Sequence, residues 1–243
     1  RPHASHKGSP GDVVVIGGQG MRGTGVGMTG AGVLAARTAL LSGAGRVFLG
    51  LLGDAEGNPG WDPVQPEVML RTPEKLITPS VLDAAVTVCG CGGGDAVIPW
   101  LPQILDQARR LVLDADALNA LAGDNDGIVQ LNARASKDWI TVLTPHPLEA
   151  ARLLGCSSAD IQRDRLAAAR RLAAITGCIC VLKGSGTIVA AQDGTPVINP
   201  SGNPSLATAG TGDVLAGLIG SYLAQPHQEG EMPFDVVARA VMQ

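Results

Sequence analysis

The run Gly210-Thr211-Gly212-Asp213-Val214-Leu215-Ala216-Gly217 sets glycines and an acid directly ahead of an apolar helical stretch. Glycines at a helix start leave successive backbone N–H groups free, and those amides and the helix dipole suit a phosphoryl group in transfer. A carboxylate there would repel a phosphate that was merely held. Asp213 instead makes chemical sense as a general base, taking the proton of a hydroxyl that attacks phosphorus. The competing reading is an acid that caps a buried helix. Upstream, Asn199-Pro200-Ser201-Gly202-Asn203-Pro204 leads into Leu206-Ala207-Thr208-Ala209. Earlier still, Lys183-Gly184-Ser185-Gly186-Thr187 ends a strand with a cation and small residues that can admit a nucleotide and its phosphates. It is not a Walker A loop, which needs Gly-Lys-Ser/Thr after a longer run.

These residues must be carried by alternating elements. Val13–Ile16, Val47–Leu51, Ala85–Cys89, Leu111–Leu113, Trp139–Leu143 and Cys178–Leu182 read as buried strands. Helices are expected over Gly30–Leu41, about Ala96–Arg109, and Asp160–Ile175 with Gly177 as its left-handed cap. Thr187–Gln192 and Thr195–Ile198 flank Asp193-Gly194, a two-residue hairpin signal. Such alternation implies βαβ units: an α/β fold with a mostly parallel central sheet flanked by helices on both faces and a late β-hairpin. Sites in these sheets lie at the carboxyl ends of strands, which places the loops after Ile16, Cys89, Leu113, Leu143 and Leu182 together.

Composition agrees. The chain has 243 residues, 45% of them hydrophobic and 16% charged, which excludes a disordered chain and allows one large buried core. Aromatics are 2% and glycines number 33, so Ala, Val, Leu and Ile must fill that core. A formal charge of −4 with no basic run argues against a nucleic-acid partner. Leu206–Ala224 is apolar but carries Asp213 and four glycines, so it is expected to be a catalytic turn and buried helix, not a membrane span. Residues Arg1–Pro10 are polar and hold no signal-like core. The five cysteines, among them the pairs Cys89/Cys91 and Cys178/Cys180, are expected to be core thiols of a cytoplasmic protein, each pair sharing one strand face.

The chain resembles the NAD(P)H-hydrate dehydratases of the ribokinase-like superfamily from about Lys7 to Leu223. The carriers are Lys7-Gly8, Gly17-Gly18, Thr29-Gly30-Ala31, Ser42-Gly43-Ala44-Gly45 and Asp114-Ala115-Asp116-Ala117-Leu118-Asn119-Ala120-Leu121. Thr144-Pro145-His146-Pro147, Leu182 to Thr187 and the Asn203 to Gly217 block complete the match. Gly-x-Gly-Asp alone is shared with sugar and vitamin kinases; the Asp-Ala-Asp-Ala-Leu-Asn and Thr-Pro-His-Pro stretches are far more specific.

The resemblance implies a single ribokinase-like catalytic domain over residues 1–243 that repairs damaged cofactor, a carbon–oxygen lyase. ADP, or ATP, would phosphorylate the ring hydroxyl of NADH or NADPH hydrate, and phosphate would then leave to restore the double bond. Asp213 would be the base and Thr211 and Gly212 would receive the phosphoryl group. Lys183, Gly184, Ser185, Gly186 and Thr187 would meet the nucleotide. Ala31, Gly94 and His146, with Asn119, would line the hydrate side, and Mg²⁺ with no assigned protein ligand would neutralise the phosphates. His146 has a plainer reading as a rigid turn residue between prolines, and Asp116 and Asn119 as loop hydrogen-bonders. The resemblance also implies a homo-oligomer without membrane contact, and fusion or cooperation with an NAD(P)H-hydrate epimerase, which a start at Arg1 without Met fits. Four departures stand out, the first a glycine loop from Gly17 to Gly27 that is longer than usual. Leu148-Glu149 replaces the usual Gly-Glu, Gly90-Cys91-Gly92-Gly93-Gly94 lacks the usual Pro, and the chain ends about where a further His-Gly segment and a terminal helix are expected. Two alternatives stay open: a hydroxyethylthiazole- or hydroxymethylpyrimidine-type kinase, and a nucleotide-binding module without turnover.

Overall fold

The computed structural model describes residues 10–21, 25–53, 60–122, 124–228 and 230–243; Lys7 and Gly8 lie outside them. The first half runs β1 (Asp12–Gly17), α1 (Thr29–Leu41), β2 (Arg46–Leu51), β3 (Met69–Leu70), α2 (Pro73–Leu76), α3 (Pro79–Ala84) and β4 (Val86–Cys89). A 3-10 segment (Gly94–Trp100) then leads to α4 (Leu101–Gln107), β5 (Arg110–Leu113), α5 (Ala115–Ala122), α6 (Asn125–Ala135) and β6 (Ile140–Leu143). The second half holds α7 (Pro147–Leu154), α8 (Ser158–Arg163), α9 (Arg165–Thr176), β7 (Ile179–Leu182), β8 (Ile188–Ala190) and β9 (Val197–Ile198). A short 3-10 turn (Pro204–Leu206) precedes α10 (Thr211–Ala224) and α11 (Pro233–Val241).

The strands form one nine-stranded sheet in the order β3-β2-β1-β4-β5-β6-β7-β8-β9. It is parallel from β3 to β7, and β8 and β9 add antiparallel. From β1 the chain moves outward through β2 and β3, then returns to β4 on the other side. That reversal opens a crevice beyond the carboxyl ends of β1 and β4. Strand alternation divides the core. Val14, Ile16, Leu111, Leu113, Leu143 and Leu182 pack on one face with residues of α3 to α9. Val13, Val15, Val86, Val88, Val112 and Val181 pack on the other with α1, α10 and α11. Both faces are covered, so the strands read as unbroken apolar runs.

Several boundaries differ from expectation for identifiable reasons. The helix expected over Asp160–Ile175 is two, because Asp164 leaves helical geometry and its side chain accepts from Ala167 N to cap α9. Gly177 is the left-handed cap, at φ 67°. The helix expected over Ala96–Arg109 begins as a 3-10 segment containing Pro99, and α4 starts only at Leu101 with Pro102 in its first turn. The hairpin forms, but pairing stops at Val189↔Val197, so its loop is longer than two residues. Pro196 has no N–H to extend the ladder. Among the described residues no helix is long and apolar enough to cross a membrane.

The cysteines divide too. Cys178 and Cys180 share one face and one core, as alternation requires, with Cys89 on that same side of the sheet. Cys91 does not join Cys89: β4 ends first, and Gly90 at φ +113° turns the chain so that Cys91 belongs to the opposite cluster.

The carrier of Asp213, α10, lies against α1 where Gly217 meets Ala35, and against the sheet where Gly220 meets Val88 of β4. A Cβ on Gly217 would stand 2.1 Å from Ala35 O, and backbone cannot swing aside. Gly217→Ala is therefore expected to destabilise the fold by about 1–3 kcal/mol of overpacking, above the ~1 kcal/mol Ala gains in an isolated helix. Equilibrium denaturation measures it; a variant more stable than the parent would remove the helix contact from the account.

Candidate active site

The loops after β4, β5, β6 and β7 and the starts of α1 and α10 converge on a cavity of about 520 Å³. Its charged lining is Asp114, Asp116, Glu149, Asp213 and Lys183, with His146 beside them. Among the described residues, four carboxylates face one ammonium.

Asp213 is placed by Gly210, whose φ of +90° starts α10. The amides of this first turn have no partner within the helix and point outward. Thr211 and Gly212 line the cavity with Asp213, and Thr211 Oγ1 is anchored on Thr208 O at 3.0 Å. A Cβ on Gly212 would stand 3.2 Å from Lys183 Nζ, so the ammonium lies against the helix start. Burial first, then the charge of Asp114, raises the Asp213 carboxyl above the ordinary aspartate range.

Lys183 reaches in from the end of β7. Its Nζ donates to Asp114 Oδ1 at 2.6 Å and lies 3.9 Å from Glu149 Oε2. Burial opposes its charge, but Asp114 and then Glu149 outweigh it, so the ammonium is held above its ordinary range. Asp114 is 1% exposed and its Oδ1 also accepts from Thr144 Oγ1 at 2.7 Å. Its main chain is tightly confined: a Cβ on Gly90 would meet Asp114 O at 2.0 Å, and Ala115 takes φ +45° to start α5.

His146 caps α7. Its Nδ1 accepts from Leu148 N at 3.1 Å and Glu149 N at 3.3 Å, and Glu149 Oε2 accepts from His146 N at 2.8 Å in return. An accepting Nδ1 puts the proton on Nε2, 3.2 Å from Glu149 Oε1. Burial and then Lys183 lower the imidazole, which keeps it neutral at neutral pH. His146 thus offers the cavity a donor, not a base. Glu149, 4% exposed, is raised by burial, with Lys183 opposing.

Of the residues expected at a site, Ala31, His146, Lys183, Gly184, Thr211, Gly212 and Asp213 line this one cavity. Gly94 acts from behind the wall, its N–H donating to Asp116 Oδ2 at 2.8 Å. Asn119 lies on α5, where Oδ1 accepts from Arg152 Nη1 at 2.6 Å. Ser185, Gly186 and Thr187 carry the loop on past the cavity lining, with Thr187 Oγ1 folded back on Gly184 O at 3.0 Å. Sequence reasoning did not single out Asp114, Glu149 and Cys91, which the fold brings beside Lys183 and Asp213. Glu149 had a usable signal, since an acid three residues after a cap position is half of a capping box. Cys91 had none, because the turn at Gly90 redirects it.

A family model described as NAD(P)H-hydrate dehydratase matches residues 13–242. The chain is 45% identical over 230 residues to the ADP-dependent (S)-NAD(P)H-hydrate dehydratase of Neisseria meningitidis, covering 93% of this chain and 73% of that one. It is 40% identical over 231 residues to the bifunctional NAD(P)H-hydrate repair enzyme Nnr of Escherichia coli, covering 93% of this chain but 41% of that protein. Among solved structures, the ADP/ATP-dependent NAD(P)H-hydrate dehydratase of Bacillus subtilis, co-crystallised with ATP and Mg²⁺, superposes with a TM-score of 0.76 at 29% identity, covering all of this chain and 81% of that one.

Proposed function

The chain belongs to the NAD(P)H-hydrate dehydratase family, with a ribokinase-like fold, and from that premise we propose that it dehydrates (S)-NAD(P)H hydrate at the expense of ADP. The observation that carries this is Asp213 in the first turn of α10, half-buried, beside free amides and the Lys183 ammonium. Asp213 takes the proton of the ring hydroxyl as that oxygen attacks the terminal phosphorus of ADP. The bond from that phosphorus to its bridging oxygen breaks and AMP leaves. The carbon–oxygen bond of the phosphorylated ring then breaks, phosphate departs with the electron pair, and a proton leaves the adjacent carbon as the double bond returns. The sum is hydrate plus ADP giving NAD(P)H, AMP and phosphate.

Thr211 and Gly212 amides receive the moving phosphoryl group, and Lys183 to Thr187 form the nucleotide side. Ala31 and His146 form the hydrate side. Gly94 supports it by holding Asp116, and Asn119 by holding Arg152 at its edge. The donor set suits Mg²⁺, a hard cation that binds oxygen and is completed by phosphates. Asp116 and Glu149 would hold it, and when bound it would neutralise phosphate charge that the surrounding carboxylates repel. The proposal extends to one catalytic domain working in the cytoplasm, as a homo-oligomer, alongside an epimerase supplying the (S) form.

Incubation with NADH hydrate, Mg²⁺ and either ADP or ATP tests reaction and donor together. Reduced-nicotinamide absorbance should return, with one AMP and one phosphate formed per ring when ADP is the donor. A stable phosphorylated ring with no absorbance gain would make the chain a kinase, and no turnover with either donor would leave it a binder.

A further inference from the structure

In the loop that follows β7, four consecutive carbonyls are engaged. Arg165, the first residue of α9, donates from Nη2 to Leu182 O at 3.3 Å and Lys183 O at 3.2 Å, and from Nη1 to Ser185 O at 2.5 Å. Gly184 O, between them, accepts from Thr187 Oγ1 at 3.0 Å. In a planar trans peptide the N–H points opposite to the C=O. The N–H groups of Gly184, Ser185 and Gly186 therefore face away from these donors, and among the described residues they meet no acceptor. Gly184 itself lines the cavity. Successive free amides of this kind make an anion-binding concavity.

The guanidinium is fitted to the loop. Gly184 takes φ +144°, and a Cβ there would stand 2.8 Å from Arg165 Nη2. The break at Asp164, whose side chain caps α9, sets Arg165 at the start of that helix. Among the described residues Nε is buried without an acceptor and no carboxylate pairs with the guanidinium, so carbonyl dipoles alone meet its charge. Lys183, by contrast, is committed to Asp114.

We propose that Arg165 is a positioning residue for the nucleotide phosphates: it holds the loop carbonyls back so that the amides of Gly184, Ser185 and Gly186 are presented to them. It acts through the loop and does not touch the nucleotide. The proposal rests on the nucleotide lying against Lys183 to Thr187. The unpaired charge behind the loop also raises the local potential in a site rich in carboxylates.

Arg165→Met keeps an unbranched stem and removes the fork, and Arg165→Lys keeps the charge on one ammonium that cannot span the same carbonyls. Calorimetry measures binding of ADP with Mg²⁺, and nitrogen–proton NMR follows the three amides with and without ADP. In the parent, ADP should move all three resonances. In Arg165→Met, ADP affinity should fall by about tenfold to a hundredfold, the scale of charge-assisted hydrogen bonds. KM for nucleotide should rise likewise, while KM for hydrate and kcat at saturating nucleotide stay within about twofold of the parent. Arg165→Lys should lie between Arg165→Met and the parent. An arginine that merely braces the end of β7 would lower stability and leave nucleotide affinity alone. Parent-like ADP affinity in Arg165→Met, or KM values for both substrates rising together, overturns the proposal. Should Arg165→Met not fold, Arg165→Lys carries the same comparison, and unchanged ADP affinity there overturns it. The outcomes separate from the parent reading. If ADP leaves the three amides unmoved in the parent, the nucleotide lies elsewhere and both fail. If ADP moves them and Arg165→Met still binds it as the parent does, this inference alone fails.

Discussion

Asp213→Asn should lower kcat for hydrate dehydration by about 10²–10⁴, the usual cost of losing a general base, while nucleotide affinity stays near that of the parent. The geometry makes those two effects separable. Asn keeps the shape of the side chain and the helix start, so the amides of Thr211 and Gly212 stay where they are. What disappears is the acceptor for the hydroxyl proton. Stability should not fall with activity. Burial and the neighbouring Asp114 raise Asp213, so its ionised form is unfavourable in the folded protein. A raised acid disfavours the fold as pH climbs past its unfolded value, so a neutral amide should leave the fold as stable or more so at neutral pH. The pH profile gives a second check. In the parent, the acid limb of kcat should lie above the ordinary aspartate range, and in Asp213→Asn that limb should vanish, leaving a low, flat rate. Parent-like turnover in the variant, or an unchanged limb, would remove Asp213 from the chemistry.

How far this was legible in sequence depends on the range of the forces involved. The parallel strands declared themselves because both of their faces are buried, and Val13–Ile16 needed no partner in view to be read. The left-handed cap at Gly177 and the base at the start of α10 are likewise local. Asp164 was just as local, an acid three residues before the amide it accepts from, but it lay inside a continuous helical pattern and was overridden by it. The charge cluster is of another kind. Asp114 and Lys183 are separated by 69 residues, and only the pairing of β5, β6 and β7 sets their strand ends side by side. No spacing rule contains that contact. Lys183 therefore read as a free cation for a nucleotide, whereas in the fold its ammonium is committed to Asp114 and stands beside Gly212. His146 shows the intermediate case: its place at the cavity was anticipated, but its work as the cap of α7 fixes which nitrogen carries the proton.

Lys183→Met should be the most destabilising change at this site. Asp114 and Glu149 are 1% and 4% exposed, and the Lys183 ammonium meets both. Removing one partner of a buried pair leaves charge without compensation, which costs about 3–5 kcal/mol, more than such a pair contributes over an apolar replacement. The pH dependence has a definite sign. Lys183 is raised, so in the parent its contribution is fully present below the unfolded lysine range and is lost only as pH climbs through the folded value. At neutral pH the parent therefore has all of it. In the variant, the orphaned carboxylates are relieved by taking up protons, so the deficit should be greatest at neutral and higher pH and should shrink as pH falls into the carboxylate range. Urea denaturation at mildly acidic and mildly alkaline pH measures both. Adding Asp114→Asn to Lys183→Met should recover a large part of the loss, because the amide still accepts from Thr144 without a charge to compensate. A double-mutant cycle then isolates the pair from the packing of the lysine stem. Independent, additive losses in that cycle, or a deficit that does not change with pH, would mean that Lys183 holds the strand ends by its alkyl chain and that the ammonium is available to the phosphates after all.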